Sequence, residues 1–268
     1  MPALRIPLAT YRLQFNSRFT FHDATAIVDY LHALGVSDCY ASSYLAAVPG
    51  SPHGYDVADP TRLNPDVGTE ADYWAWIDAL RAHGMGHVLD IVPNHMGIAK
   101  SANPWWLDVL ENGACSRYAH FFDIEWQPVK DELADKVLIP ILGDQYGAAL
   151  ERQELTLEYD GGAFFVRHCD ERIPIAPDTY SRIFREALDT WLPDHSGPHA
   201  DELMSVVTAA DHLPPRTSRD PDDIAVRARE KEVIKRRLLA LTDASAAVAS
   251  LVDACITAMN GVAHQPRS

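Results

Sequence analysis

Short apolar runs alternate with helix-spaced apolar residues through the first hundred positions, and no other feature restricts the fold as strongly. Such alternation signals parallel β/α units. Ala9 to Phe15 reads as a strand. Asp23 to Leu34 follows helical spacing, with Ala26, Ile27, Tyr30, Leu31 and Leu34 on one face. Gly35 ends that helix and Val36 to Tyr40 forms a second strand. A loop rich in Pro, Gly and Ser runs from Ser42 to Asp66. Thr69 is placed to cap a helix that turns Tyr73, Trp76, Ile77 and Leu80 inward. Gly84 stops it, and His87 to Val92 gives a third strand ending at Pro93.

Beyond that point the pattern changes. Residues 99 to 150 are loop-rich and aromatic, with Trp105, Trp106, Phe121, Phe122 and Trp126. Leu155 to Tyr159 and Phe164 to His168 flank Asp160-Gly161-Gly162, a hairpin signal. Residues 191 to 222 are dense in Pro, Asp, His and Ser and read as a mobile connection. Asp223 to Ala240 and Ala244 to Met259 are helical, and the tail from His264 to Ser268 reads as disordered. Three segments follow from this: 1–98, of β/α character; 99–190, an inserted loop and hairpin subdomain; and 191–268, a linker with helices. No internal repeat is present.

Composition narrows the function classes. A formal net charge of −15 argues against nucleic acid or an anionic membrane as partner through a general basic surface. It is compatible with a neutral ligand such as a sugar without pointing to one. Cys39, Cys115, Cys169 and Cys255 lie far apart with no Cys-x-x-Cys pair, which fits free thiols in a reducing compartment. The opening residues carry no apolar run of signal-peptide length, and no segment approaches a membrane span. A cytoplasmic location is expected.

Three motifs fall in loops that follow strands, where β/α barrels place their active sites. They are Tyr11-Arg12-Leu13-Gln14, His53-Gly54-Tyr55-Asp56-Val57 with Pro60 beyond, and Asp90-Ile91-Val92-Pro93-Asn94-His95. Asp-x-x-x-x-His closing a strand, with Asn before the His, resembles the first signature region of the α-amylase family, and His-Gly-Tyr-Asp upstream strengthens the match. Within that family the closer likeness is to the maltooligosyltrehalose synthases. It is carried by Thr10 to Gln14, Val48 to Asp56, Asp90 to His95, Asn103-Pro104-Trp105-Trp106, Phe121 to Ile124 and Leu138 to Gly143. The likeness runs along most of the chain and thins after about residue 190.

The resemblance implies an α/β fold, part of a (β/α)8 TIM barrel comprising its first three β/α units, with a mixed hairpin and helical insertion after the third strand. It implies a maltooligosaccharide substrate and no cofactor. Tyr55 would stack on the apolar face of a glucose. His95 would hydrogen-bond that sugar's hydroxyls, more strongly as the ring flattens in the transition state. Asp90 would hold the cluster in place. His53, Asp56, Asn94 and Gln14 complete the expected substrate-binding set. Asn94 is often a calcium ligand in related amylases, but no metal is expected here.

Bland readings stand beside these. Taken singly, Asp90 could cap a loop, His95 could be an ordinary loop histidine and Tyr55 ordinary packing. The ordered set reverses those odds for Tyr55 and His95 and leaves Asp90 open. His83 and His87 have the spacing of helical metal ligands, but Gly84 and Gly86 interrupt any helix there. Trp105 and Trp106 could be core or a glucan platform. The stretch from Arg227 to Arg237 reads as a solvated helix face.

Retaining glycosidases use two carboxyl groups, and the family resemblance places the nucleophile in a Gly-x-Arg-x-Asp setting. That pattern occurs nowhere in the 268 residues. No catalytic residue is therefore assigned, and the nucleophile and acid/base are expected beyond Ser268. Three units cannot close an eight-stranded barrel, so a C-terminal part or another chain is an expected partner. The leading reading is isomerisation of a reducing-end α-1,4 linkage to α,α-1,1. The alternatives are a hydrolysing α-amylase and a non-catalytic α-glucan-binding remnant or split half.

Overall fold

The computed structural model describes residues 5–261, so the tail from His264 to Ser268 lies outside the described residues. The chain divides into two compact units, one up to Pro104 and one from Trp105 on. No single helix among the described residues is long and apolar enough to cross a membrane.

In the first unit β1 (Thr10–Leu13) leads to α1 (Phe21–Ala26) and α2 (Val28–Ala33). The single helix expected over 23–34 is broken at Ile27, whose N–H reaches Ala24 O only at 3.4 Å. α1 starts earlier than expected because Thr20 and Asp23 form a capping box. β2 (Asp38–Ala41) follows, then the hairpin β3 (Leu45–Ala47) and β4 (Val57–Leu63). That hairpin lies inside the stretch read as loop. Its register slips twice and Pro60 sits within β4, which explains why no alternation was visible. α3 (Glu70–Ala82) begins at the expected Thr69 cap, closed by Asp72, and buries Trp76, Ile77 and Leu80. β5 (Gly86–Leu89) ends the set.

β1, β2 and β5 form a parallel sheet in that order. The register aligns Arg12 with Tyr40 and Tyr40 with Val88, and one step on Leu13 with Ala41 and Ala41 with Leu89. Strand side chains alternate faces, so the sheet has two characters. Leu13, Cys39 and Ala41 turn to the helices, where they join Phe15, Phe21, Leu31, Trp76 and Leu80 in one core. Arg12, Tyr40 and, two residues past Val88, Asp90 share the opposite parity. The polar residues thus collect on the face that the helices leave uncovered.

In the second unit α4 (Pro104–Asn112) and α5 (Tyr146–Glu151) precede the antiparallel sheet of β6 (Thr156–Asp160), β7 (Ala163–His168) and β8 (Glu171–Pro174). The hairpin signal holds: Asp160 pairs with Ala163, and Gly161 and Gly162 both take positive φ, 58° and 82°. Trp105 stacks on Tyr118 with ring centroids 5.2 Å apart, and Trp106 packs on Phe122 at 5.1 Å. α6 (Tyr180–Trp191), α7 (Pro198–Asp211), α8 (Pro221–Ala244) and α9 (Ala246–Asn260) complete the unit.

Two expectations are corrected here. The supposed connection over 191–222 contains α7, which buries Leu203, Val206 and Ala210 in the same core as Phe184, Leu238 and Val252. Its helical spacing is masked by the Pro, Asp and His residues at its ends. The stretch from Arg227 to Arg237 is also not simply solvated. Arg227 is 0% exposed and its guanidinium reaches Asp178, Asn112 and the Pro214 carbonyl. Lys231 lies 2.7 Å from both Glu111 and Asp108. Residues 227, 231, 234, 238 and 241 share one helix stripe, and matched carboxylates allow its cations to be buried. All four cysteines are free.

Candidate functional site

The site is built from the ends of β1, β2 and β5 and the loop before β4. At its centre Tyr55 donates its phenol hydrogen to Asp90 Oδ2 at 2.7 Å. The same phenol oxygen accepts from Arg12 Nη2 at 2.6 Å. The Tyr40 phenol also interacts with the Asp90 carboxylate. The carboxylate therefore gathers two phenols, and Arg12 stands behind one of them. The ladder that sets β5 beside β2 continues one residue further, with Asp90 N–H donating to Ala41 O at 2.9 Å. Asp90 is thereby fixed by backbone as well as by side chain.

The phenols respond to this setting. Burial, and then the bond to Asp90, push the Tyr55 pKa up against the opposing pull of Arg12. For Tyr40 the interaction with Asp90 is the main cause of an upward shift, with burial second. Both shifts favour the neutral phenol.

The remaining expected residues join the same network. Gln14 accepts from Arg12 at 3.1 Å and donates to the His53 carbonyl at 3.0 Å. His53 Nδ1 accepts the Tyr55 N–H at 3.0 Å, and the two rings lie nearly parallel, 16° apart with centroids at 6.2 Å. With that nitrogen's lone pair taken, the 3.8 Å approach of Asp56 Oδ1 is proximity rather than an ion pair. Asp56 instead accepts from Ser51 Oγ, which also takes the Gly54 N–H, so Asp56 shapes the turn that presents Tyr55. Gly54 has φ +75°, and a Cβ there would meet Ser43 O at 2.6 Å; no other residue fits.

His95 is exposed and lies against residue 55 itself. Its Nε2 donates to the Tyr55 carbonyl at 3.1 Å, and its Nδ1 faces Asn94 Oδ1 at 2.9 Å. A carbonyl can only accept, so Nε2 carries a proton. When the ring is neutral, Nδ1 must accept, and the Asn94 amide then presents its NH2. Either way both ring nitrogens have protein partners, and a sugar hydroxyl would have to replace one. Gly97 lets this loop close on the start of β4, because a Cβ there would lie 2.5 Å from Asp56 O.

The structure thus brings Gln14, His53, Tyr55, Asp56, Asp90, Asn94 and His95 into one connected cluster. Arg12, named from sequence only as part of the first motif, and Tyr40 are members outside the expected substrate-binding set. Their signal was available in parity, since Arg12, Tyr40 and Asp90 occupy equivalent faces once the strand register is known. His83 and His87 part company: His83 pairs with Asp29, while His87 packs against Tyr44 and Trp76. Among the described residues no group of three or more His, Cys, Asp or Glu is arranged to hold a metal ion.

Comparison with known proteins points to one family. The family model described as alpha amylase, catalytic domain, matches residues 23–160. A Mycobacterium tuberculosis protein provisionally named maltooligosyl trehalose synthase is 43% identical over 177 residues, 63% of this chain and 21% of that one. The intracellular maltogenic amylase of Bacillus subtilis is 31% identical over 173 residues, covering 62% of this chain and 28% of that one. Among solved structures, maltooligosyltrehalose synthase from Arthrobacter ramosus matches with a TM-score of 0.54 and 41% identity, over 63% of this chain and 21% of that one. The chain spans about a fifth of the length of the maltooligosyl trehalose synthases it matches.

Proposed function

The chain belongs to the α-amylase family, and on that premise we propose that it forms one wall of the glucose-binding cleft of an α-glucan-active enzyme. In this reading the three parallel strands are the first three of a (β/α)8 barrel. The reaction is isomerisation of a maltooligosaccharide's reducing-end α-1,4 linkage to an α,α-1,1 linkage. The supporting observation is the junction of Tyr55, Asp90 and Arg12 with His95 on the Tyr55 carbonyl. A ring whose hydroxyl is clamped offers its face, and a pyranose presents a C–H face that such a platform covers. The His95 imidazole lies against the Tyr55 carbonyl, and a sugar hydroxyl that takes the place of Asn94 at Nδ1 gains a polar contact at the sugar's rim. Water must be kept from the glycosyl intermediate, since it would divert isomerisation to hydrolysis.

Retaining chemistry needs two carboxyl groups about 5 Å apart. In the Tyr55 cluster Asp90 is engaged by two phenols, and Gly-x-Arg-x-Asp does not occur in the sequence. That absence favours a second reading, in which this chain binds α-glucan and turnover needs a further part of the enzyme. Incubation of the purified chain with maltopentaose separates the two. Loss of reducing ends would refute the binding-only reading. Binding without turnover, weakened at least tenfold by Tyr55→Ala, would support it, and failure to bind at all would refute both.

A further inference from the structure

We propose that the first unit carries a second α-glucan site, apart from the Tyr55 cluster, in the groove between the end of β4 and the start of α3. This rests on the reading above that the ligand is an α-glucan. The groove encloses about 680 Å³ and is lined by residues that include Thr61, Arg62, Glu70, Tyr73 and Trp74. It shares no residue with the Tyr55 cluster.

Trp74 is its platform. α3 buries Trp76, Ile77 and Leu80, but leaves the Trp74 indole 46% exposed, a large apolar ring that folding has not covered. The ring is nevertheless held. Its N–H donates to Glu70 Oε1 at 3.3 Å, one helical turn back. The Tyr73 ring meets it edge-on at 5.1 Å, and the Arg81 guanidinium lies 5.8 Å from its centroid. Across the groove Arg62 is anchored through Nε to Asp59 Oδ2 at 2.7 Å, which leaves its two terminal nitrogens without an acceptor among the described residues. Glu70 keeps one carboxylate oxygen unused by the indole. A flat ring, two guanidinium donors and a carboxylate acceptor match the C–H face and vicinal hydroxyls of a pyranose.

The charges disfavour other occupants. Asp59 balances Arg62 and Glu70 adds a negative charge, so the groove offers no net positive field to an anion. The start of α3 is not open to an anion either, since Thr69 and Asp72 already engage each other's backbone N–H groups. A neutral oligosaccharide meets neither restriction.

The test uses the whole 268-residue chain and maltoheptaose, followed by NMR of the tryptophan indole N–H groups, with the Trp74 signal assigned by its absence from Trp74→Phe. The sugar should shift that signal in the wild type and also in Tyr55→Ala. Trp74→Ala should weaken the residual binding seen in Tyr55→Ala at least tenfold, and Trp74→Phe should restore part of it. An unmoved Trp74 signal while Tyr55-dependent binding is intact would overturn the second site alone. Binding that Trp74→Ala removes and Tyr55→Ala leaves untouched would uphold the groove and sink the Tyr55 reading instead.

Discussion

Tyr55 and Asp90 lie 35 residues apart in sequence, and their side chains meet in a 2.7 Å hydrogen bond at the polar face of the parallel sheet. Asp90 is set there by the backbone ladder between β5 and β2, and Tyr55 is delivered by the tight turn at Gly54. Because Arg12 donates to the same phenol, three separate stretches of chain converge on one oxygen atom.

This convergence has a titration signature. Tyr40 and Tyr55 should ionise later than a free tyrosine in an ultraviolet pH titration. Asp90→Asn should bring Tyr40 down more than Tyr55, since Asp90 is the leading cause for Tyr40 and burial for Tyr55. Unchanged phenol titration in Asp90→Asn would show that the carboxylate does not hold these rings.

The turn at Gly54 is steric as well as conformational. Gly54→Ala must relieve a 2.6 Å approach to Ser43 O at a φ of +75°. It should destabilise the first unit by about 1–3 kcal/mol, read from thermal or denaturant unfolding. Wild-type stability in that variant would contradict the placement of the turn.

In the second unit the buried cation on α8 ties that helix to α4. Burial alone would lower the Lys231 pKa, but Glu111 and Asp108 outweigh it and hold the amine above its usual value. Lys231→Ala strips Asp108 of its cation and leaves Glu111 to Lys235 alone, and should cost up to about 3–5 kcal/mol. Lys231→Met with Glu111→Gln should recover part of that loss in a chemical denaturation series. A Lys231→Ala chain as stable as wild type would show that the pair is not coupled.

His87 makes the first unit acid-sensitive. Burial against Trp76 and Tyr44 holds its pKa below the ordinary 6.5, so the unfolded chain takes up the proton first. Stability is full above about pH 6.5 and falls as pH drops toward the folded-state pKa. The unfolding midpoint should therefore decline from pH 7 to 5.5, and His87→Gln should flatten that slope. An equal slope in the variant would place the sensitivity elsewhere.

Much of the first unit was legible in sequence. Thr69 capping α3, the inward Trp76, Ile77 and Leu80, and the three short strands all follow from local pattern. Gly161 and Gly162 likewise announce their turn. What stayed hidden depends on register and on partners distant in sequence. Arg12 and Tyr40 became site residues only when β1 and β2 were aligned. The slipped β3–β4 pairing leaves no clean alternation. The inward turn of Arg227 and Lys231 depends on Asp178, Glu111 and Asp108, residues that a local reading of α8 cannot see.

Calorimetric titration of the 268-residue chain with maltopentaose, repeated for Tyr55→Ala and His95→Ala, bears most directly on the Tyr55 cluster as a pyranose cradle. Both substitutions should weaken the wild-type affinity at least tenfold while the circular dichroism spectrum stays the same. Equal affinity in all three proteins, or no heat of binding to the wild type at millimolar sugar, would contradict it.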